Sequence, residues 1–337
     1  MLSSIHEHAM TNSSQPPHSP AAADHRLAGD AAVLRREESA STFLLFSGVG
    51  LAIGGTFLFA LKSVFIKLAF AQGTNATTLL ALRMDLSLPF YLAMLWRLRR
   101  EVEPGRTREA RHALAAMLLG FFGYYLASFL DMAGLALVSA QLERLTLFTY
   151  PALIALLAWL FLDEKLNAKI VAAICLSYLG IYLMYSQERG SGSAANVLTG
   201  VLLVLGSALS YSLYVLLAKP LMQRMGSRRF TSLAMVGSAF FVTVHFLATQ
   251  PVRTLCSLPL AVWLYGLILA SVCTVIPSFM INEAILRVGA ARTTVIGSIG
   301  PVLTMILAIV VLGEPASLVR FAGMAIVLAG VSLVAAK

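Results

Sequence analysis

The chain has 337 residues, of which 58% are Ala, Val, Ile, Leu, Met, Phe, Trp, Tyr or Cys and only 12% Asp, Glu, Lys or Arg, with a formal net charge of +9. A water-soluble domain carries about twice that charged fraction, and a mean hydropathy of +0.82 excludes an ordinary water-facing surface. The positive balance does not mark a nucleic-acid binder either, because the basic residues fall in short gaps between apolar runs rather than on one folded face.

Residues 1–41 are rich in Ser, His, Pro and Ala and show no apolar period, so they are expected to form a disordered cytoplasmic tail. They lack the apolar stretch and cleavage pattern of a signal peptide, and His6, His8 and His18 suggest no more than adventitious metal contact. From Phe43 onward apolar runs alternate with short polar breaks, beginning near residues 43, 75, 113, 138, 169, 198, 230, 259, 290 and 317. Crossing a hydrocarbon core takes roughly 20 helical residues. Helix is required because lipid offers no partner for backbone N–H and C=O groups, and the runs are too solidly apolar for barrel strands. The expected fold is therefore an all-α integral membrane protein of ten transmembrane helices.

Orientation follows from the basic residues. With the N-terminus placed in the cytoplasm, only Lys67, Arg189, Arg253 and Arg320 fall in loops on the far side, while Lys62, Arg83 and Arg144 lie within spans. All other Lys and Arg share the side of the N-terminus. Both termini are thus expected in the cytoplasm, with the protein in the plasma (bacterial inner) membrane. The cysteines Cys175, Cys256 and Cys273 have no metal-type spacing, and Cys175 and Cys273, inside apolar runs, read as buried thiols.

The chain also repeats itself. At a fixed offset of 150, Pro151 meets Pro301, Glu164 meets Glu314 and Gly180 meets Gly330, with Leu153, Leu157, Ala158 and Leu162 meeting Leu303, Leu307, Ala308 and Leu312. Two halves, 42–189 and 196–337, each hold five spans. Five is odd, so the halves are inverted relative to each other, a plan shared by many secondary transporters with a site near the midplane.

These residues resemble the drug/metabolite transporter superfamily, and within it the EamA-type transporters. The resemblance runs over about residues 43–336. It rests on FALKSVFIKLAF, TLLALRM and SAQLERLTLFTYPALIALLAWLFLDEKL in the first half, and on AILRVGAARTTVIGSIGPVLTMILAIVVLGEP and GMAIVLAGVSLV in the second. It implies ten helices, cytoplasmic termini and movement of metabolites such as amino acids, often outward. The first copy of the Pro-to-Glu segment ends in Asp163-Glu164 where the second has Gly313-Glu314, the form more common in the family.

An ionisable group facing lipid costs several kcal/mol, so charges inside spans face a cavity or a partner. The candidates are Lys62, Arg83, Asp131, Glu143 and Arg144, all placed by helical rise in the same half of the membrane thickness. Three cations against two anions leave one positive charge over, which suits an anionic group of a solute. The competing reading is a structural network in which Asp131 pairs Lys62 and Glu143 pairs Arg144 or Arg83. The offset equivalents of Glu143 and Arg144 are Thr293 and Thr294, so the fold alone does not demand charge there, and the pair is assigned to binding or gating.

Ser210 and Tyr214, one turn apart beside Tyr211, share a face of the sixth span and are candidates for the solute path. Pro151 and Pro301, within spans, mark kinks for gating or structure. Glu164 and Glu314, at run ends, suit capping of a neighbouring helix, and Glu283 with Asn282 near Arg287 suits a wet helix terminus or a gate. His245 reads as an interfacial residue. No GxSxG elbow, HExxH pair or GxxxxGK[ST] loop occurs. The reading is a carrier rather than an enzyme, with no cofactor and no resident metal. Its partners are a small solute, the bilayer and, as candidates, a proton or counter-solute. An intramembrane enzyme or a sensor or assembly subunit is the alternative.

Overall fold

A computed structural model of the chain describes residues 47–99, 106–162, 168–189 and 193–335. The segment 1–41 lies outside these. The described residues hold helices α1 (Ser47–Ala71), α2 (Ala76–Leu98), α3 (Ala110–Leu135), α4 (Ala140–Leu162), α5 (Ala168–Arg189), α6 (Ala194–Met225), α7 (Ser227–Thr249), α8 (Leu260–Ile285) and α9 (Val295–Leu312). These nine are long and apolar enough to cross a bilayer. A last helix, α10 (Leu318–Ala335), carries a shorter apolar stretch, Leu318–Leu333. Within the described residues each expected run falls on a helix, with starts within a few residues of those read from hydropathy.

Local chemistry sets the helix ends. Asn75 opens α2 by accepting a bond from Thr78 N at 2.8 Å, and Ser139 opens α4 by accepting one from Leu142 N at 3.1 Å. Such caps satisfy N–H groups that the helix itself leaves free. A single residue, Gly226, separates α6 from α7, and its φ of 80° is a backbone state that side chains resist.

The 150-residue offset reappears in the shape of the helices. A wide π-helical turn interrupts α3 at Phe121–Leu126, and another interrupts α8 at Ser271–Val275. α4 runs as Ala140–Leu147 and resumes as Tyr150–Leu162; the corresponding segments of the second half are Ala290–Gly297 and Gly300–Leu312. Pro151 and Pro301 stand in the first turn of each resumed segment. There a missing N–H costs nothing, because that donor has no helical partner. Both prolines thus mark restarts of a broken helix.

Packing repeats as well when the halves are exchanged. α3 packs on α7 as α8 packs on α2, while α2 with α7, α4 with the helix at 290–312, and α5 with α10 pair like with like. Lipid supplies no hydrophobic drive between helices, so close approach over small residues takes its place. A Cβ on Gly120 of α3 would lie 2.0 Å from the Ala234 carbonyl oxygen of α7, and one on Gly180 of α5 would lie 2.5 Å from that of Gly323 of α10. Large apolar side chains such as Trp96, Phe161, Phe240 and Val310 are exposed on the outside of the bundle, where acyl chains would cover them. Cys273 is buried as expected, but Cys175 is exposed, on the outward side of its helix.

Gly120→Ala is expected to cost about 1–3 kcal/mol through overpacking, read as a lower unfolding temperature of the detergent-solubilised protein. Gly50→Ala, whose Cβ would meet nothing within 4 Å, serves as the control. Equal melting of the two variants would contradict the close α3–α7 contact.

Candidate functional site

Side chains from α1, α3 and α4 meet inside the first half. Lys62 Nζ of α1 donates to Asp131 Oδ2 of α3 at 2.6 Å, and the two side chains are 12% and 3% exposed. The Glu143 side chain of α4 lies beside the Asp131 carboxyl. Glu143 is 0% exposed, and neither of its oxygens accepts from an N–H or hydroxyl donor of the protein; its hydrogen-bonding neighbour is the Asp131 carboxyl. Arg144, the next residue, points about 100° away around the helix and reaches α1 instead. Its Nη2 donates to Phe59 O at 3.2 Å and to Ser63 Oγ at 2.8 Å. The Lys62–Asp131 pairing follows the structural alternative read from the sequence. The Glu143–Arg144 pairing does not form, because neighbouring positions on a helix cannot turn to one point.

Arg83 of α2 is 6% exposed, and its Nε donates to Thr274 Oγ1 at 2.8 Å. Thr274 belongs to the π-helical turn of α8, and its hydroxyl donates onward to Leu269 O at 2.7 Å. The wide turn therefore presents a hydroxyl that locks the arginine from the second half. Arg83 Nη1 has no protein partner. Asp131, Tyr91, Tyr124 and Cys273 all lie within electrostatic reach of the guanidinium. Four of the five charged candidates thus gather around α1, and the fifth faces the same aspartate from α2.

Ser210 and Tyr214 do share a face of α6, and that face meets the π-helical turn of α3. Ser210 Oγ donates to Phe122 O at 2.7 Å, and Tyr214 OH donates to Tyr124 OH at 3.2 Å. A Cβ on Gly123 would fall 2.3 Å from the Tyr214 ring, so glycine there admits the tyrosine. These two residues hold the α3 turn and adjoin an aromatic group of Tyr150, Tyr211 and Phe230. They lie apart from the carboxyl cluster, with Tyr124 the link toward Arg83.

Glu314 caps a helix, as its position suggested, and the helix is α4 of the opposite half. Its carboxylate accepts from Ala140 N at 2.7 Å and Gln141 N at 3.2 Å. The left-handed Gly313, φ 67°, ends the preceding helix and lets the chain turn toward α4. Burial holds the Glu314 carboxyl above the usual glutamate range, against the lowering effect of those two N–H donors and of Lys67. Glu164, its offset partner, lies outside the described residues. Glu283 pairs with Arg228 at 3.2 Å and with Arg287 at 2.9 Å, all three side chains well exposed. Exposed pairs of this kind contribute little, in keeping with a wet helix end. His245 meets Tyr125 OH at 3.1 Å between α3 and α7.

Several residues escaped sequence reasoning. Lys67, counted there as a loop residue, lies within α1, half-buried and close to Glu314, Glu188 and Glu143. Glu188 accepts from Ser139 N at 3.1 Å and from the Ser139 hydroxyl, so two carboxylates serve the start of α4. Arg320 is 5% exposed rather than looped out. Asp85 of α2 is exposed within its span and accepts from Thr243 Oγ1 at 2.9 Å. It sits on the same outward strip as Leu92 and Trp96. A count of charges inside apolar runs reveals Asp85. Thr274 leaves no sequence signal beyond its place at the offset equivalent of Tyr124.

Helices long enough to span a bilayer, a bundle whose breaks recur after 150 residues and a cluster of buried charge in the first half define a multi-pass membrane protein of the transporter class. The sequence profile of the EamA-like transporter family matches residues 46–186 and again 198–336, and the chain belongs to that family, within the drug/metabolite transporter superfamily. It is 29% identical over 300 residues to the transporter YcbK of Bacillus subtilis (strain 168), itself described as uncharacterized, covering 86% of this chain and 93% of that protein. YyaM of the same organism, described in the same way, is 26% identical over 66% of this chain and 72% of its own length. A solved crystal structure shares the fold with a TM-score of 0.57 at 18% identity, covering 85% of this chain and 96% of the other.

Removing one member of a buried ion pair strands the other and costs about 3–5 kcal/mol. Lys62→Met is therefore expected to lower the unfolding temperature strongly. The double variant Lys62→Met with Asp131→Leu, which removes both charges, should recover much of the loss in the same thermal measurement.

Proposed function

We propose that the chain is a secondary carrier for small metabolites, amino acids or related anionic and zwitterionic solutes, working as an exporter by alternating access. In this reading the polypeptide crosses the bacterial inner membrane ten times, α10 included, with both termini in the cytoplasm and the two halves inverted. The recurring breaks at a 150-residue offset and the exchange symmetry of the packing support the inverted plan. The basic residues, crowded on one side of the span pattern, support the orientation.

The observation that carries the proposal is the Lys62, Asp131, Glu143 and Arg144 cluster inside the first half, which has no charged counterpart at the equivalent positions of the second. At the 150 offset, Asp131, Glu143 and Arg144 correspond to Ile281, Thr293 and Thr294. A scaffold that folds with neutral residues in one half has no structural need for charge in the other, and intramembrane charge marks solute and ion pathways. Arg83, whose Nη1 lacks a protein partner beside a locked Nε, is the group to which this reading assigns a solute carboxylate. Pro151, Pro301 and Glu314 belong in this reading to the moving parts: two helix restarts and a cap that ties the halves together.

The test is a survival screen of cells overexpressing the protein against toxic amino acids, their analogues and other metabolites, followed by efflux measurement. Protection against one chemical class is expected. Arg83→Gln should reduce efflux of that class about ten- to a hundredfold, the worth of a hydrogen bond to a charged group. Full efflux and unchanged substrate range in Arg83→Gln combined with Arg144→Gln would refute the site.

A further inference from the structure

Glu143 poses a problem that the solute site does not solve. A fully buried ionised carboxylate needs donors, since its desolvation costs several kcal/mol, and both of its oxygens lack them. Of the groups around it, Arg83 comes from α2; it faces Asp131 and is locked through its Nε at Thr274 Oγ1. From α3 comes Asp131, a second acid, whose Oδ2 already holds Lys62 of α1 and whose Oδ1 is also without a donor. From α1 come Lys62, spent on that aspartate, and Lys67, which is within electrostatic reach of Glu314 and Glu188 as well as of Glu143. Arg144, on its own helix, is committed to Phe59 O and Ser63 Oγ. From α5 comes Glu188, bound at Ser139. α9, over Val295–Leu312, and α6, over residues 194–210, bring no acidic or basic side chain.

Two carboxyl groups side by side in a dry site, with one cation bonded to one of them and the neighbouring cations engaged elsewhere, do not both ionise; one keeps a proton. We infer that Asp131 and Glu143 form a one-proton site, with Lys62 balancing the ionised member and the proton held on Glu143. The inference rests on the carrier reading for its use. A proton bound and released here at each cycle would couple solute movement to the proton gradient. In the release step the Glu143 O–H bond breaks, its proton passes to water as the site opens, and the negative charge left behind is free to face a cationic group of the solute. Lys67, Glu188 and Glu314 lie between the pair and the end of the bundle where α4 begins, and they supply polar groups along the way.

The experiment reads the proton directly and needs no known solute. Infrared difference spectra of the purified full-length protein at neutral pH, wild type minus Glu143→Gln, should contain the C=O stretch of a buried protonated carboxyl. The band should be lost in Glu143→Gln and kept in Glu314→Gln. It should also be lost in Asp131→Asn, where Lys62 is left to ionise Glu143. A wild type without the band, a band that survives Glu143→Gln, or one that survives Asp131→Asn overturns the shared-proton site. A band that appears only when sodium ions are withdrawn overturns it in favour of a bound metal cation.

In proteoliposomes loaded with a mixture of labelled proteinogenic L-amino acids, an inward proton gradient at clamped voltage should raise efflux at least about tenfold in wild type and not in Glu143→Gln. Efflux that ignores the gradient in wild type overturns the coupling. The band without efflux would leave the proton site standing and count against the amino-acid carrier reading alone.

Discussion

A lysine and an aspartate 2.6 Å apart, inside a largely apolar bundle, set the terms for everything near them. Neither charge has water to fall back on, so each fixes the position of the helix that carries the other. α1 is thereby held to α3. Once that pair is formed, the remaining acid, Glu143, and the remaining bases, Arg144 and Arg83, must find neutral dipoles or stay incomplete. Arg144 takes a carbonyl and a hydroxyl of α1, Arg83 takes the hydroxyl exposed by the wide turn in α8, and Glu143 finds no donor and is left against the Asp131 carboxyl. The incompleteness is where chemistry can enter.

The two halves share a scaffold and divide the labour. Both have a π-helical turn in the third helix and a break in the fourth, followed at once by proline. In the first half the turn is filled by Ser210 and Tyr214 from α6. In the second it is filled by Arg83 from α2. The same backbone irregularity, a place where a helix offers groups it does not use itself, accommodates an aromatic lock on one side and a cation on the other. An ancestral symmetry of the backbone thus supports an asymmetry of charge.

Much of this was legible in the order of residues. Pro, Glu and Gly in register 150 apart announced the two halves, and the apolar runs placed the helices, because length and hydropathy suffice when lipid is the solvent. The Lys62–Asp131 pair could be named from depth along two spans. The fate of Arg144 could not, since it depends on which neighbouring helix stands 100° away from Glu143 around α4. Lys67 and Glu188 were hidden for another reason. At the end of a span, a charge that snorkels to water and one that turns inward to cap a helix have the same sequence context. Glu314 was readable as a cap but not as a cap for the opposite half, because the crossing of a loop onto α4 is a tertiary fact.

The seam between α5 and α10 has a mechanical meaning. Gly180, Gly323 and Gly330 bring backbone against backbone there, with carbonyl oxygens where a methyl would otherwise sit. Helices that touch through interdigitated side chains can slip from one set of notches to the next. Helices that touch through their main chains have no notches. The seam therefore offers no second register, and the first turns of α4 rest directly against it: Leu142 and Leu145 pack with Ile181 and Met184 of α5 and with Met324 and Val327 of α10, while Glu188 of α5 holds Ser139.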